Sequence, residues 1–178
     1  MAYRSTNLTR STAAAKRAVF LRAARTIVST RGFSAASVTA IAQESGTSVG
    51  LVYSYFDNRE KLLSEVFRSV AEYELGVVEH AVDDAGEDPA AQIVALIDTF
   101  ANRALQGRQM AWSLLFEPVT EGIGNERLSF RRAYCALGER IIRDGVTAEV
   151  FVAQHVPVSA SAVMGAISEA LVGSLSPL

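Results

Sequence analysis

The chain has 178 residues, 49% of them hydrophobic and 20% charged, so it can bury a sizeable core and is not a disordered polymer. With 4 Pro and 12 Gly, collagen-like and linker-rich architectures are excluded, and one cysteine, Cys135, cannot close an internal disulfide, which fits a reducing compartment. The net charge of -2 is unevenly spread: residues 1–61 hold nine basic and three acidic residues (+6), and the remainder hold eight basic and sixteen acidic (-8). A basic segment ahead of an acidic one suits a polyanion-binding head on a body that avoids polyanions, although a solvated basic helix face has the same composition.

The pattern is helical throughout, and an all-α fold is expected. Residues 1–12 are small and polar and read as a flexible arm. From about Ala13 to Thr30, Phe20, Ala24, Ile27 and Val28 recur at helical spacing, and Gly32 is placed to end the helix in a left-handed conformation. Ser37 is a good N-cap for a short helix carrying Val38, Ile41 and Ala42. Gly46 breaks it, and Ser48 can cap a second short helix from Val49 to Tyr55, with Val52 and Phe56 facing inward. Asn58 can cap a long helix from Arg59 to about Val82, with Leu62, Val66, Val70, Tyr73 and Val77 along one side.

Beyond the turn at Asp83–Gly86, Asp88-Pro89 opens a helix carrying Ile93, Leu96, Ile97, Phe100 and Leu105, which Gly107 interrupts. A short apolar helix follows over about Gln109–Phe116. Glu117-Pro118-Val119 and Gly122-Ile123-Gly124 read as a connector, ahead of helices at about Asn125–Arg143 and Ser159–Gly173. No run reads as membrane-spanning and the start lacks a signal-peptide segment, so the expectation is a cytoplasmic chain with no membrane partner.

Two short helices joined at a glycine on a three-helix core make a helix-turn-helix. Its second helix would present Ser48, Val49, Gly50, Leu51, Tyr53 and Tyr55 outward, with Thr39 and Thr47 beside them and Arg59 heading the long helix. Hydroxyls and a guanidinium suit phosphates, apolar tips suit thymine methyls, and a glycine permits close backbone approach. In a plain helical bundle, Leu51, Tyr53 and Tyr55 would instead be packing residues.

The run Gly32-Phe33, Ser37-Val38, Ile41-Ala42, Gly46, Ser48, Gly50, Tyr53, Phe56, Asn58-Arg59-Glu60 and Leu62 resembles the DNA-binding head of the tetracycline-repressor (TetR) family of transcriptional regulators. The resemblance covers about Phe20 to Leu63. It implies a three-helix head (13–61), a fourth helix leading into a ligand-binding and dimerisation body (62–178), and a homodimeric repressor on a palindromic operator. It further implies that Tyr53 and Arg59 touch phosphate while Thr39, Ser48, Val49, Gly50, Leu51 and Tyr55 face bases. Arg59 stands where many relatives carry Lys, a change that keeps the charge. The body, from Gly107-Arg108-Gln109-Met110-Ala111-Trp112 through Phe116-Glu117-Pro118-Val119 to Tyr134, resembles an actinobacterial-type subgroup.

For a small apolar or amphipathic effector, the expected lining is Tyr73, Phe100, Arg103, Met110, Trp112, Leu115, Phe116 and Tyr134, for each of which core packing is the competing role. Arg103 would either anchor an anion or pair with a neighbouring acid. Val163, Met164, Ile167 and Leu171 form a plausible dimer seam on the last helix. His80 and His155 lack metal-ligand spacing, Cys135 has no histidine nearby and no phosphate-binding glycine loop is present, so neither catalysis, metal nor cofactor is expected. The rival from another class is a helical adaptor that binds protein, its basic head merely solvated.

Overall fold

The computed structural model describes residues 7–176, and all regular structure in them is helical. The order is α1 (Asn7–Ala35), α2 (Val38–Glu44), α3 (Val49–Tyr53), α4 (Arg59–Asp84), α5 (Pro89–Gln106), α6 (Arg108–Leu115), α7 (Glu121–Thr147) and α8 (Val156–Leu175). The caps legible in the sequence are formed. Ser37 Oγ accepts from Ala40 N–H, Ser48 Oγ from Leu51 N–H and Asn58 Oδ1 from Lys61 N–H; Asp88, not read as a cap, also accepts from Ala90 N–H through Oδ1.

Several boundaries differ from expectation. Residues 1–6 of the expected arm lie outside the described residues, whereas residues 7–12 already belong to α1. Gly32 does leave helical geometry, but with φ 84° and ψ 174°, an extended positive-φ conformation open to glycine, after which one more turn runs to Ala35. Gly122-Ile123-Gly124 is helix, not connector, because α7 starts at Glu121 and receives outside help at its first turn. The last helix starts three residues early, with His155 Nδ1 accepting from Val158 N–H.

Two apolar cores result. The first gathers Phe20, Ile27 and Val28 of α1, Ile41 of α2, Val52 of α3 and Leu62, Leu63 and Phe67 of α4. Ile123 of α7 is buried in it, and Met110, Leu114 and Phe130 pack against it, so the expected boundary at 61/62 does not divide the packing. The second lies farther along the bundle, among Val78 and Val82 of α4, Leu96 and Phe100 of α5, Ile141 of α7 and Met164, Ile167 and Leu171 of α8. Burying each such side chain contributes roughly 1.5–3 kcal/mol.

The α8 segment Val156–Leu175 has a window of mean hydropathy 1.5, apolar and long enough to cross a membrane by composition alone, contrary to the expectation that no run reads so. Here it is a bundle helix: Ala160, Met164, Ile167, Leu171 and Leu175 are buried against the rest of the chain. That corrects the expected dimer seam. Met164, Ile167 and Leu171 sit inside the protomer's own second core, and Val163 is half-buried against it, because these residues recur at helical spacing on the side that faces the bundle. The opposite side carries Ala162, Ala166, Ala170 and Gly173, all exposed.

Candidate nucleic-acid interface and body cavity

The turn between α2 and α3 is set by Gly46, whose φ of 64° is left-handed and favours glycine. Ser45 and Thr47 share a hydroxyl–hydroxyl bond of 3.0 Å, and Thr47 N–H closes the turn onto Ala42 C=O at 2.8 Å. One face of α3 is thereby pinned to the core through Val52. Its other face presents Ser48, Val49 and Gly50, all exposed, and Tyr53, 52% accessible; Thr39 of α2 is exposed as well. A Cβ placed on Gly50 would meet nothing within 4 Å, so the fold itself does not need glycine there.

Three expected contact residues sit differently. Leu51 and Tyr55 do not project freely; both are half-buried and pack on the first core, with the Tyr55 ring tilted against Phe20 at 5.5 Å. The reason is position: Leu51 flanks the inward Val52 on α3, and that helix ends at Tyr53 rather than Tyr55, so Tyr55 lies beyond it, beside the inward Phe56. Arg59 is tied to the fold, its Nε donating to Ala36 C=O at 2.8 Å and Nη2 to Phe33 C=O. These bonds occupy carbonyls in the last turn of α1 and the link to α2, and Arg59 is only partly exposed.

The basic excess is likewise divided. Arg17 pairs with Glu65 while lying 4.5 Å over the Phe56 ring, and Lys61 pairs with Asp57, which raises the lysine pKa and lowers that of the aspartate. Lys16, Arg22, Arg25 and Arg31 are exposed on the head.

The segment between α6 and α7 grips the head twice, a feature not anticipated from the sequence. Glu117 is buried, and its carboxylate accepts from Phe33 N–H at 2.9 Å and Ser34 N–H at 2.8 Å. It thus satisfies amides freed by the kink at Gly32, where a Cβ would come 2.7 Å from the carboxylate. Glu60, in the first turn of α4, accepts from the Thr120 hydroxyl and from Gly122 N–H at 2.9 Å, which holds its pKa below the ordinary value and supports the start of α7.

Behind this joint lies a cavity of about 120 Å³ among α4, α5, α6 and α7. Of the expected lining, Phe100, Arg103, Met110, Leu115 and Tyr134 reach it. Tyr73 does not: it is 54% exposed, with the Arg103 guanidinium 5.4 Å from its ring. Trp112 and Phe116 point elsewhere, packing on each other at 5.4 Å beside the second core. Arg103 forms a two-pronged pair with Glu74, the second of the two roles open to it. Tyr134 stands edge-on to Phe100 at 5.2 Å, and burial pushes its phenol well above the usual range, leaving it a proton donor.

Sequence reasoning missed Glu74, Arg127 and Arg131 in this wall. Arg127, Arg131 and Tyr134 fall at helical spacing on α7, a signal that was present but indistinguishable from a solvated face. Among the described residues, no group of three His, Cys, Asp or Glu side chains is placed to hold a metal.

A short helix offered on a three-helix head, joined by a long helix to an apolar-cored bundle with an internal cavity, defines a helix-turn-helix head on a helical body. Residues 20–66 match the family model described as bacterial regulatory proteins, tetR family. That match covers the three-helix head and the start of α4, about a quarter of the chain. The chain is similar to the transcriptional regulator BetI of Stenotrophomonas maltophilia, 30% identical over 102 residues, covering 57% of this chain and 52% of that protein. It is also similar to the transcriptional repressor KstR2 of Rhodococcus jostii, 27% identical over 138 residues, covering 73% and 67% respectively. The matched segment therefore spans about half the length of the first of these relatives. In fold it is similar to the regulator FadR of Bacillus subtilis, solved with stearoyl-CoA, at a TM-score of 0.76 and 16% identity over 88% of this chain and 85% of that one.

Proposed function

We propose that this chain is a DNA-binding transcriptional regulator, a repressor that occupies a palindromic operator as a cytoplasmic homodimer and is released by a small molecule in the body cavity. The observation that carries this reading is the exposure of Ser48, Val49, Gly50 and Tyr53 on a helix whose opposite face is locked by Val52. In the major groove, Val49 would meet thymine methyls, Gly50 would admit the backbone close to a base, and Ser48, Thr39 and Thr47 would offer hydroxyls. Tyr53 would reach phosphate. Leu51 and Tyr55 would contribute from the rim of the interface, and Arg59 would serve chiefly by fixing the α1–α2 turn, with its remaining N–H groups facing phosphate. Exposed Lys16, Arg22, Arg25 and Arg31 supply the field.

The dimer face proposed here is the exposed side of α8, where Ala162, Ala166 and Ala170 permit close helix approach and Glu169 is the one charge. Two heads would then sit about 34–36 Å apart, one helical turn of DNA. Release is supported by a mechanical connection. Arg127 lines the cavity and also donates to Glu117 C=O at 2.8 Å, while the Glu117 carboxylate holds the kink of α1. A ligand that moves Arg127 bears directly on the seat of the head, and it weakens DNA binding by preferring the body arrangement with the wrong head spacing.

The test is electrophoretic mobility of DNA upstream of the chain's own coding region at two salt concentrations. Specific retardation that weakens steeply with salt is the expected result. No retardation beyond that of an unrelated fragment, at either salt concentration, leaves the helical adaptor as the better reading.

A further inference from the structure

The charges around the cavity do not balance. Its wall holds three arginines, Arg103, Arg127 and Arg131, against one carboxylate, Glu74. Arg103 and Glu74 neutralise each other in their paired geometry. Arg127 is matched only by neutral acceptors: its Nε donates to Leu114 C=O at 2.7 Å, and its Nη2 to Ser113 C=O at 3.1 Å and Glu117 C=O at 2.8 Å. The nearest acid, Glu117, has both carboxylate oxygens engaged by Phe33 and Ser34 amides. Arg131, one turn along α7, forms no ion pair among the described residues. Two guanidinium groups thus share one side of a mostly apolar chamber, in a body whose overall charge is negative. Burial and the neighbouring Arg131 both lower the pKa of Arg127, while Glu117 opposes them, so the charged form is held at a cost.

We infer that the cavity takes an apolar molecule bearing one anionic group, a carboxylate or its like, with the anion seated between Arg127 and Arg131. The hydrocarbon lies against Phe67, Phe100 and Leu115, and the Tyr134 hydroxyl, kept protonated, donates toward the polar end. The anion satisfies guanidinium N–H groups that have no acceptor in the wall, and offsets two like charges at once. It also competes with Leu114, Ser113 and Glu117 carbonyls for Arg127, so the charged group is the part of the ligand that acts on the joint. The cavity is close in volume to one that holds a single aromatic ring, so longer chains require the helices to part. This inference rests on the reading of the cavity as the effector site.

The experiment uses three eight-carbon probes that differ only at one end: octanoate, octan-1-ol and octylammonium. Binding to the full chain is followed by the fluorescence of Trp112, the single tryptophan, which lies on the helix that forms one cavity wall. Octanoate is expected to bind about tenfold or more tightly than octanol, with octylammonium weakest. Arg131→Gln should reduce the octanoate-to-octanol ratio to within about threefold, and Arg131→Lys should restore most of it. Because Arg131 is exposed, neither variant threatens the fold. Equal binding of octanoate and octanol, or a ratio unmoved by Arg131→Gln, overturns the anion assignment while leaving the cavity an effector site. Binding of none of the three overturns both, and retardation of DNA by the unliganded chain then shows separately whether the DNA-binding reading survives.

Discussion

At Gly50 the backbone of α3 faces open space, and that single absence of a side chain separates folding from recognition. Alanine fits without collision and is the better helix former, so Gly50→Ala should leave the melting temperature unchanged or raise stability by up to about 1 kcal/mol. If α3 enters a groove, the added methyl meets DNA instead, and operator affinity should fall roughly tenfold or more in a mobility-shift titration, since one misfit base contact costs about 1–3 kcal/mol. Unchanged affinity would remove the close approach proposed for this residue. Gly32 is the opposite case. Its positive φ and the carboxylate 2.7 Å from a would-be Cβ make it a requirement of the fold. The sequence already separates a helix-ending Gly32 from an outward Gly50, and the structure adds the Glu117 carboxylate that makes Gly32 indispensable.

At the scale of elements, the connector between α6 and α7 is the piece on which head and body meet. It is held by charge-assisted bonds from Glu117 to α1 amides and from Glu60 to the start of α7. Hydrogen bonds to the ionised form depress the Glu60 pKa below its ordinary 4.5. The folded state therefore gains stability from Glu60 above about that pH, and the gain is lost as the pH falls through the lower, folded value. Glu60→Gln should flatten this part of the acid limb, making the melting temperature less pH-dependent below about pH 4.5, with a small loss near neutrality. An acid limb of unchanged slope would show that the bond does not persist in solution.

For the whole molecule, the arrangement of α8 bears on the proposed dimer. Its buried side chains complete the protomer's core and leave an exposed side of alanines, glycine and Glu169, on which a second charge would not disturb folding. Ala166→Glu should weaken self-association about tenfold or more, as judged by sedimentation equilibrium, with little change in helix content. Met164→Ala, by contrast, should cost about 2–5 kcal/mol of fold stability, because it empties part of the second core. Dimerisation unaffected by Ala166→Glu would place the interface elsewhere.

The local rules of the chain were legible in its sequence. Helical period, the hydroxyl and carboxamide caps at Ser37, Ser48 and Asn58, and the glycine turn at Gly46 depend on neighbours a few residues away, so spacing alone locates them. The family resemblance followed from the same short-range pattern. What only the tertiary structure decided is which side of each helix finds a partner. Tyr73 and the Met164, Ile167 and Leu171 seam exchanged expected roles for observed ones because facing inward depends on helices far away in the chain. In the sequence Arg59 reads as a phosphate contact, and Glu117 and Arg127 are not set apart from other charges. They became structural ties because folding set them beside unpaired amides and carbonyls 10 to 84 residues distant, and a polar group takes the acceptor or donor that burial would otherwise leave unmatched.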